Sequence, residues 1–181
     1  MAESALRRVV LDACVLAPPV LCDLVLRLAE TPPLFVPHWS SDILAEVKRA
    51  QMTHFRFDDR LSDYWRQQVT LHFPDAEVID YADLVNRCAN DPKDRHVLAA
   101  AIASECAEIV TSNLKDFQAF ALEPWRVVAI HPSDFLLSLQ SRSPEVVADK
   151  LDEMAAHRRL TRTELLTKLE KVVPAFVQVI S

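Results

Sequence analysis

The chain has 181 residues, half of them hydrophobic, and its 26 Asp and Glu outnumber 20 Lys and Arg for a net charge of −6. That length suits one domain with a real core and room for an appended piece, and the acidic balance argues against a uniformly basic nucleic-acid coat without excluding a local basic patch. Glycine is absent; this removes the Gly-rich loops of dinucleotide-binding and P-loop proteins, whose backbone must approach phosphate without a Cβ, so no nucleotide cofactor is expected.

No apolar run is long enough to span a bilayer, and Met1-Ala2-Glu3-Ser4 lacks the basic-then-apolar pattern of a signal peptide. The expectation is a soluble, cytoplasmic protein with no membrane partner. Four cysteines (Cys14, Cys22, Cys88, Cys106) show no Cys-x-x-Cys spacing and read as small buried hydrophobes. The six histidines form no zinc-type cluster. Without glycine, a left-handed turn falls to Asn or Asp, and Asn90 and Asn113 are the expected positions.

In chain order, Val9-Val10-Leu11 reads as a central parallel strand, buried on both faces and ending in Asp12. Val20, Leu21, Leu24, Val25 and Leu28 have helical spacing, and Thr31-Pro32-Pro33 ends that helix. Leu34-Phe35-Val36 is the predicted second strand, completing a β-α-β unit. Ser40 can cap a helix with Asp42 in its first turn and Ile43, Leu44 and Val47 inward; Leu61, Tyr64, Trp65 and Val69 predict a partner helix. A short strand is expected at Ala76-Glu77-Val78-Ile79 and a helix from Tyr81 to Cys88.

Asp91 before Pro92 looks like an N-cap with proline at the first helical position, which places Asp94 in the first turn. At 100° per residue, Asp94 shares a direction with Val97, Leu98, Ala101 and Ile102. A strand at Glu108-Ile109-Val110-Thr111 leads into a polar turn with Asp116, and Val127-Val128-Ala129-Ile130 supplies the last strand. Helices follow over Pro132 to Leu139, Pro144 to Arg159 and Arg162 to Ile180, with Thr161 capping the last and Pro174 kinking it. The predicted organisation is a main α/β unit over residues 1–142 and a helical extension over residues 143–181. The apolar stripes of that extension must pack on the main unit, on a second copy or on another protein.

Asp12, Asp94 and Asp116 therefore share a position at the carboxyl ends of strands or a helix start, where parallel α/β sheets gather functional groups. Glu46 joins them from a neighbouring helix, or is a solvated acid paired with Lys48 or Arg49. Converging carboxylates repel one another unless divalent cations neutralise them, and hard oxygen ligands select Mg²⁺ or Mn²⁺. The chemistry such a site performs is phosphodiester hydrolysis.

Val9-Val10-Leu11-Asp12, the run from Phe35 to Val47, Pro92-Lys93-Asp94-Arg95-His96-Val97-Leu98-Ala99-Ala100-Ala101 and Val110-Thr111-Ser112-Asn113-Leu114-Lys115-Asp116-Phe117 resemble the successive acidic motifs of PIN domains, and most closely those of VapC-type toxins. The resemblance implies a three-layer α/β/α domain around a central parallel sheet and a metal-dependent single-strand endoribonuclease using Mg²⁺ or Mn²⁺. It also implies a cognate antitoxin, as in a type II toxin–antitoxin pair, and a homodimer. Asp12, Glu46, Asp94 and Asp116 carry over as catalytic, metal-site residues.

Many PIN domains place an acid where this chain has Asn113. An Asn oxygen can ligate but brings no charge, so Asp116 is expected to supply the fourth charge while Asn113 and Thr111 position the turn or a water. Lys93 and Lys115 are the expected RNA contacts; Arg56, Arg60, Arg66 and Arg95 are ordinary surface cations unless they line the same path. Trp39 either stacks on a base or packs in the core. Two other readings stand beside the nuclease: a catalytically silent PIN-like protein-interaction module, and a phosphate-accepting acidic domain with Asp12 as acceptor.

Overall fold

The computed structural model describes residues 6–181. Among these, five short strands form one all-parallel sheet in the order β3-β2-β1-β4-β5: β1 Arg8–Leu11, β2 Val36–Ser40, β3 Glu77–Val78, β4 Glu108–Val110 and β5 Val128–Ile130. Val9, Val10, Leu11, Ile109 and Val110 are wholly buried, as the central strands of a sheet covered on both faces must be. Helices flank it in a three-layer α/β/α arrangement. The chain adds β2 and β3 on one side of β1 and then returns to place β4 on the other. That reversal opens a crevice beyond the carboxyl ends of β1 and β4.

Asp12 caps a single turn, α1 (Ala13–Leu16), which leads into α2 (Pro19–Ala29). Ser40 ends β2 and caps α3 (Ser41–His54), its hydroxyl accepting from the Ile43 amide at 3.2 Å. Helix α4 (Asp59–His72) is capped by Asp58, and Ala82–Val85 is a single turn, α5. Helix α6 (Arg95–Ala103) crosses the sheet against β1, β2 and β4, and a short α7 (Ala119–Leu122) precedes β5. The C-terminal helices are α8 (Pro132–Arg142), α9 (Pro144–His157), α10 (Arg162–Glu170) and α11 (Pro174–Ile180). Helix α9 packs on α2 and α8, and α11 on α8. Val147, Leu151, Met154, Leu165, Leu169 and Phe176 thereby enter the same core as the sheet residues.

Several local expectations are corrected. The second strand lies later than Leu34-Phe35-Val36, because Val36, Pro37 and His38 take the register opposite Arg8, Val9 and Val10; tertiary pairing overrides a segment that carries a proline and two polar residues. Asp91 does not cap α6. Its side chain accepts from the Lys93 amide at 3.0 Å and its carbonyl from the Asp94 amide at 2.9 Å, a local turn that competes with helix entry and moves the N-cap position to Asp94. Pro174 begins a new helix rather than kinking one, since Val173 before it leaves helical geometry (φ −136°, ψ 58°). The segment from Tyr81 to Cys88 forms only the single turn α5.

Left-handed backbone falls on Arg56, Asp80, Glu105, Arg126 and Arg159 rather than on Asn90 or Asn113. Two of these end helices by a double hydrogen bond that demands the left-handed residue whatever its side chain. After α6, the Cys106 amide reaches the Ala101 carbonyl (2.9 Å) and the Glu105 amide reaches Ile102 (3.1 Å); after α9, Leu160 reaches Ala155 and Arg159 reaches Ala156 in the same pattern. Glycine normally fills this position. A residue with a Cβ costs about 1–2 kcal/mol there, so Glu105→Gly and Arg159→Gly each raise stability by about 1 kcal/mol in urea unfolding.

Candidate active site

The four acids singled out in the sequence arrive at the crevice from four elements. Asp12 follows β1; its amide donates to the Val110 carbonyl of β4 (3.1 Å), which extends the parallel ladder one residue and pins the carboxylate beside that strand. Only 5% of Asp12 is exposed. Its Oδ1 accepts from the Ala13 amide (2.6 Å) and its Oδ2 from the Thr111 hydroxyl (2.6 Å). Asp94 stands half-buried at the N-cap position of α6 and makes no capping bond. Asp116 closes a 3-10 turn (Leu114–Asp116) beyond β4, and the Asn113 side-chain amide donates to it. Glu46, on α3, lies 3.4 Å from Arg49 and 3.3 Å from His96 Nε2, the latter without the alignment of a hydrogen bond. Lys48 pairs instead with Asp59 and Asp63, both at 2.7 Å.

The charges of the other three acids reach Asp94. Burial, then the charges of Asp12, Asp116, Glu46 and Asp91 in that order, raise the Asp94 carboxyl from 3.8 to about 6. Asp12 is also raised, chiefly by burial, against the lowering effect of its hydrogen bonds to Thr111, Cys14 and Ala13. Burial pulls His96 down, but the Glu46 carboxylate, with Asp42 and Asp12 behind it, more than offsets this and raises it. The crevice is thus a concentration of negative charge that favours cations and protons.

Thr111 and Asn113 are joined to two of the acids by hydrogen bonds. The fully buried Thr111 hydroxyl donates to Asp12 and accepts from the Asn113 amide (3.0 Å). Asn113 is not left-handed (φ −101°, ψ 46°) and instead spends its side chain on Asp116. Lys93 and Lys115 are exposed, in the turn before α6 and in the 3-10 turn. Arg95 turns back to the Asn90 carbonyl (3.3 Å). Trp39 is wholly buried, edge-on to Phe73 at 5.9 Å between centroids, and belongs to the core.

Two residues at the site had no sequence signal. His96 follows Asp94 by two residues and faces Glu46. Cys14, read as a small buried hydrophobe, is half-buried with its Sγ 3.3 Å from Asp12 Oδ2. Burial and the Asp12 charge push its thiol up to about 12, so it remains a protonated donor.

As the side chains stand, no three His, Cys, Asp or Glu groups among the described residues are gathered closely enough to hold a metal ion. The reason is visible in their partners: Asp116 is turned to Asn113, and Glu46 to Arg49 and His96. The donor set itself, all carboxylate oxygen with mutually opposed charges, suits a hard divalent cation. A cavity of about 450 Å³ between α2, α4 and α9, walled by Leu26, Trp65 and Val69, contains none of these acids.

Because folding raises the Asp94 value above its unfolded 3.8, folding favours the protonated carboxyl. The stability tied to that proton is complete below about pH 4 and is lost as pH rises through about 6. In chelator, Asp94→Asn is therefore more stable than the parent at pH 7–8, by about 1 kcal/mol after discounting for screening of a partly exposed group. The difference closes below about pH 4. Thermal melts across that range check it, and a variant that unfolds would make Asp94 structural.

No solved structure matches the chain. Among curated proteins, "Putative ribonuclease VapC50" of Mycobacterium tuberculosis is 39% identical over 104 residues, 56% of this chain and 62% of the relative, so the chain spans less than two thirds of the protein it matches. The family described as PIN domain matches residues 8–115, a stretch that runs from the start of β1 into the turn bearing Asp116. With more than half of its length matched, including β1 to β4 and the acids Asp12, Glu46 and Asp94, the chain belongs to the PIN-domain family.

Proposed function

We propose that this chain is a divalent-cation-dependent endoribonuclease that hydrolyses phosphodiester bonds in RNA and acts as the toxin of a type II toxin–antitoxin pair. The observation that carries the reading is a PIN-domain match over the stretch in which Asp12 ends β1, held by the Thr111 hydroxyl, and Asp94 stands at the start of α6, where burial and the neighbouring acids raise its carboxyl. Such a cluster, built from four separate elements at the switch point of a parallel sheet, has no evident use in stability and is costly to assemble. The name of the mycobacterial relative supports ribonuclease chemistry, and its VapC label fits the VapC-type motifs that this sequence resembles. An antitoxin partner, a homodimer and a cytoplasmic location belong to the same reading; no helix among the described residues is long and apolar enough to cross a membrane.

Asp12, Glu46, Asp94 and Asp116 would hold Mg²⁺ or Mn²⁺, which when bound supplies an activated water and neutralises phosphate charge. The chain's own contribution is placement. Thr111 holds Asp12 Oδ2 so that the carboxylate cannot rotate freely, and Asn113 orients Asp116. Without the cation Asp94 holds a proton more readily than a free carboxyl, and the cation would displace it. Lys93 and Lys115, exposed and adjacent in sequence to Asp94 and Asp116, would receive the RNA backbone.

The silent-module reading draws on one observation, the lack of a ready-gathered donor group among the described residues. The phosphate-acceptor reading is disfavoured by Asp12 itself, which is 5% exposed and has both oxygens engaged. Calorimetry with Mn²⁺ separates nuclease from silent module: saturable binding that Asp94→Asn weakens supports the nuclease.

Cleavage of a single-stranded RNA is expected to vanish in EDTA and return with Mn²⁺. Undiminished cleavage in EDTA by a preparation free of contaminating nucleases would remove the cation from the mechanism. Asp116→Asn is expected to lower Mn²⁺ affinity and cleavage by about 10- to 100-fold. Asn113→Ala, which removes an orienting amide rather than a charge, costs less in both; the reverse ranking would move the ligand to Asn113.

A further inference from the structure

Asp12 Oδ2 receives two donors, and each donor is itself fixed by the turn that leads to Asp116. The first path runs from the Asn113 amide to the Thr111 hydroxyl (3.0 Å) and on to Asp12 Oδ2 (2.6 Å). The second runs from the Ser112 amide to Cys14 Sγ (3.2 Å) and on to the same oxygen (3.3 Å). Cys14 Sγ also lies 3.5 Å from Thr111 Oγ1, so the two paths run side by side. The thiol accepts from one backbone amide and donates to one carboxylate, which uses both of its hydrogen-bonding capacities.

The two paths come from different parts of the chain. Thr111 directly follows β4, so its place is set chiefly by the sheet register; Cys14 belongs to α1 and reaches across the crevice to the turn. Asn113, next to Ser112, carries the side-chain amide that holds Asp116. We propose that Cys14 is a positioning residue, whose thiol ties the Ser112–Asn113 turn to Asp12 and so sets the spacing of Asp12 from Asp116. The proposal rests on the reading of these two carboxylates as parts of one cation site.

The test compares Cys14→Ala with Cys14→Ser. Amide hydrogen exchange followed by NMR on the metal-free protein reads the tie directly. In Cys14→Ala, exchange at Ser112 is expected to speed up about tenfold, the cost of one lost hydrogen bond, while Ile109 and Leu11 in the sheet keep their protection. Cys14→Ser, whose hydroxyl can accept and donate in the same way, restores most of it. Mn²⁺ affinity by calorimetry is expected to fall about 5- to 10-fold in Cys14→Ala and to recover in Cys14→Ser. In RNA cleavage, kcat falls with KM unchanged, since no RNA contact is removed.

Unchanged exchange at Ser112 in Cys14→Ala overturns the tie. Equal loss of protection at Ser112, Ile109 and Leu11 also overturns it, because that pattern marks general loosening. Faster exchange with unaltered Mn²⁺ affinity overturns the link to the acids. The exchange measurement needs neither cation nor RNA, so a parent protein that binds no Mn²⁺ and cuts no RNA would defeat the nuclease reading and leave the tie to be judged on its own.

Discussion

The bond from the Thr111 hydroxyl to Asp12, 2.6 Å across the switch point of the sheet, is the contact on which the crevice depends. It exists only because β1 and β4 run parallel with Leu11 opposite Val110, and because the ladder continues one residue further to the Asp12 amide. A slip of one residue would turn Asp12 to the other face of the sheet. The apolar burial of Val9, Val10, Ile109 and Val110 prevents that slip, so the core holds the carboxylate in place as surely as its own hydrogen bonds do.

Around this fixed acid the protein assembles charge against its own stability. Asp94 occupies an N-cap position yet makes no capping bond, and its carboxyl is raised by burial and by like charges. Ordinary ion pairs elsewhere are closed locally: Asp23 with Arg27 and Arg158, Lys48 with Asp59 and Asp63, Arg7 with Glu108. The crevice departs from that pattern. Carboxylates held among like charges with few cationic partners have a low cost for admitting a cation, since binding relieves what folding imposed.

The absence of glycine shaped the loops in a way that composition alone did not reveal. Helix ends that would use glycine are closed by Glu105 and Arg159 in left-handed geometry, each held by two backbone bonds to the last turn of its helix. The turn after α6 matters for the site, because it sets where β4 begins and hence where Thr111 ends up. The geometry is imposed by the helix-to-strand connection, and the side chain conforms to it.

Much of the architecture was legible in the sequence. Continuous apolar runs such as Val9-Val10-Leu11 report strands buried on both faces, a helical period reports α2, α3 and α4, and Ser40 and Thr161 announce helix starts through capping chemistry that acts within four residues. The ordered acidic motifs pointed to the PIN family for the same reason: each is a local word at a strand or helix end. The later start of β2, the turn that displaced Asp91 from its capping role, and the left-handed residues were not legible, because strand register and helix closure are decided by contacts with distant backbone. For the site, sequence could nominate Asp12, Glu46, Asp94 and Asp116 by their places along the chain. Only the tertiary structure decided that Asp94 feels the charges of the other three, that Asn113 serves Asp116, and that Cys14 and His96 join them. Electrostatic coupling and hydrogen bonds across about a hundred residues depend on distance in space, which the linear pattern does not encode.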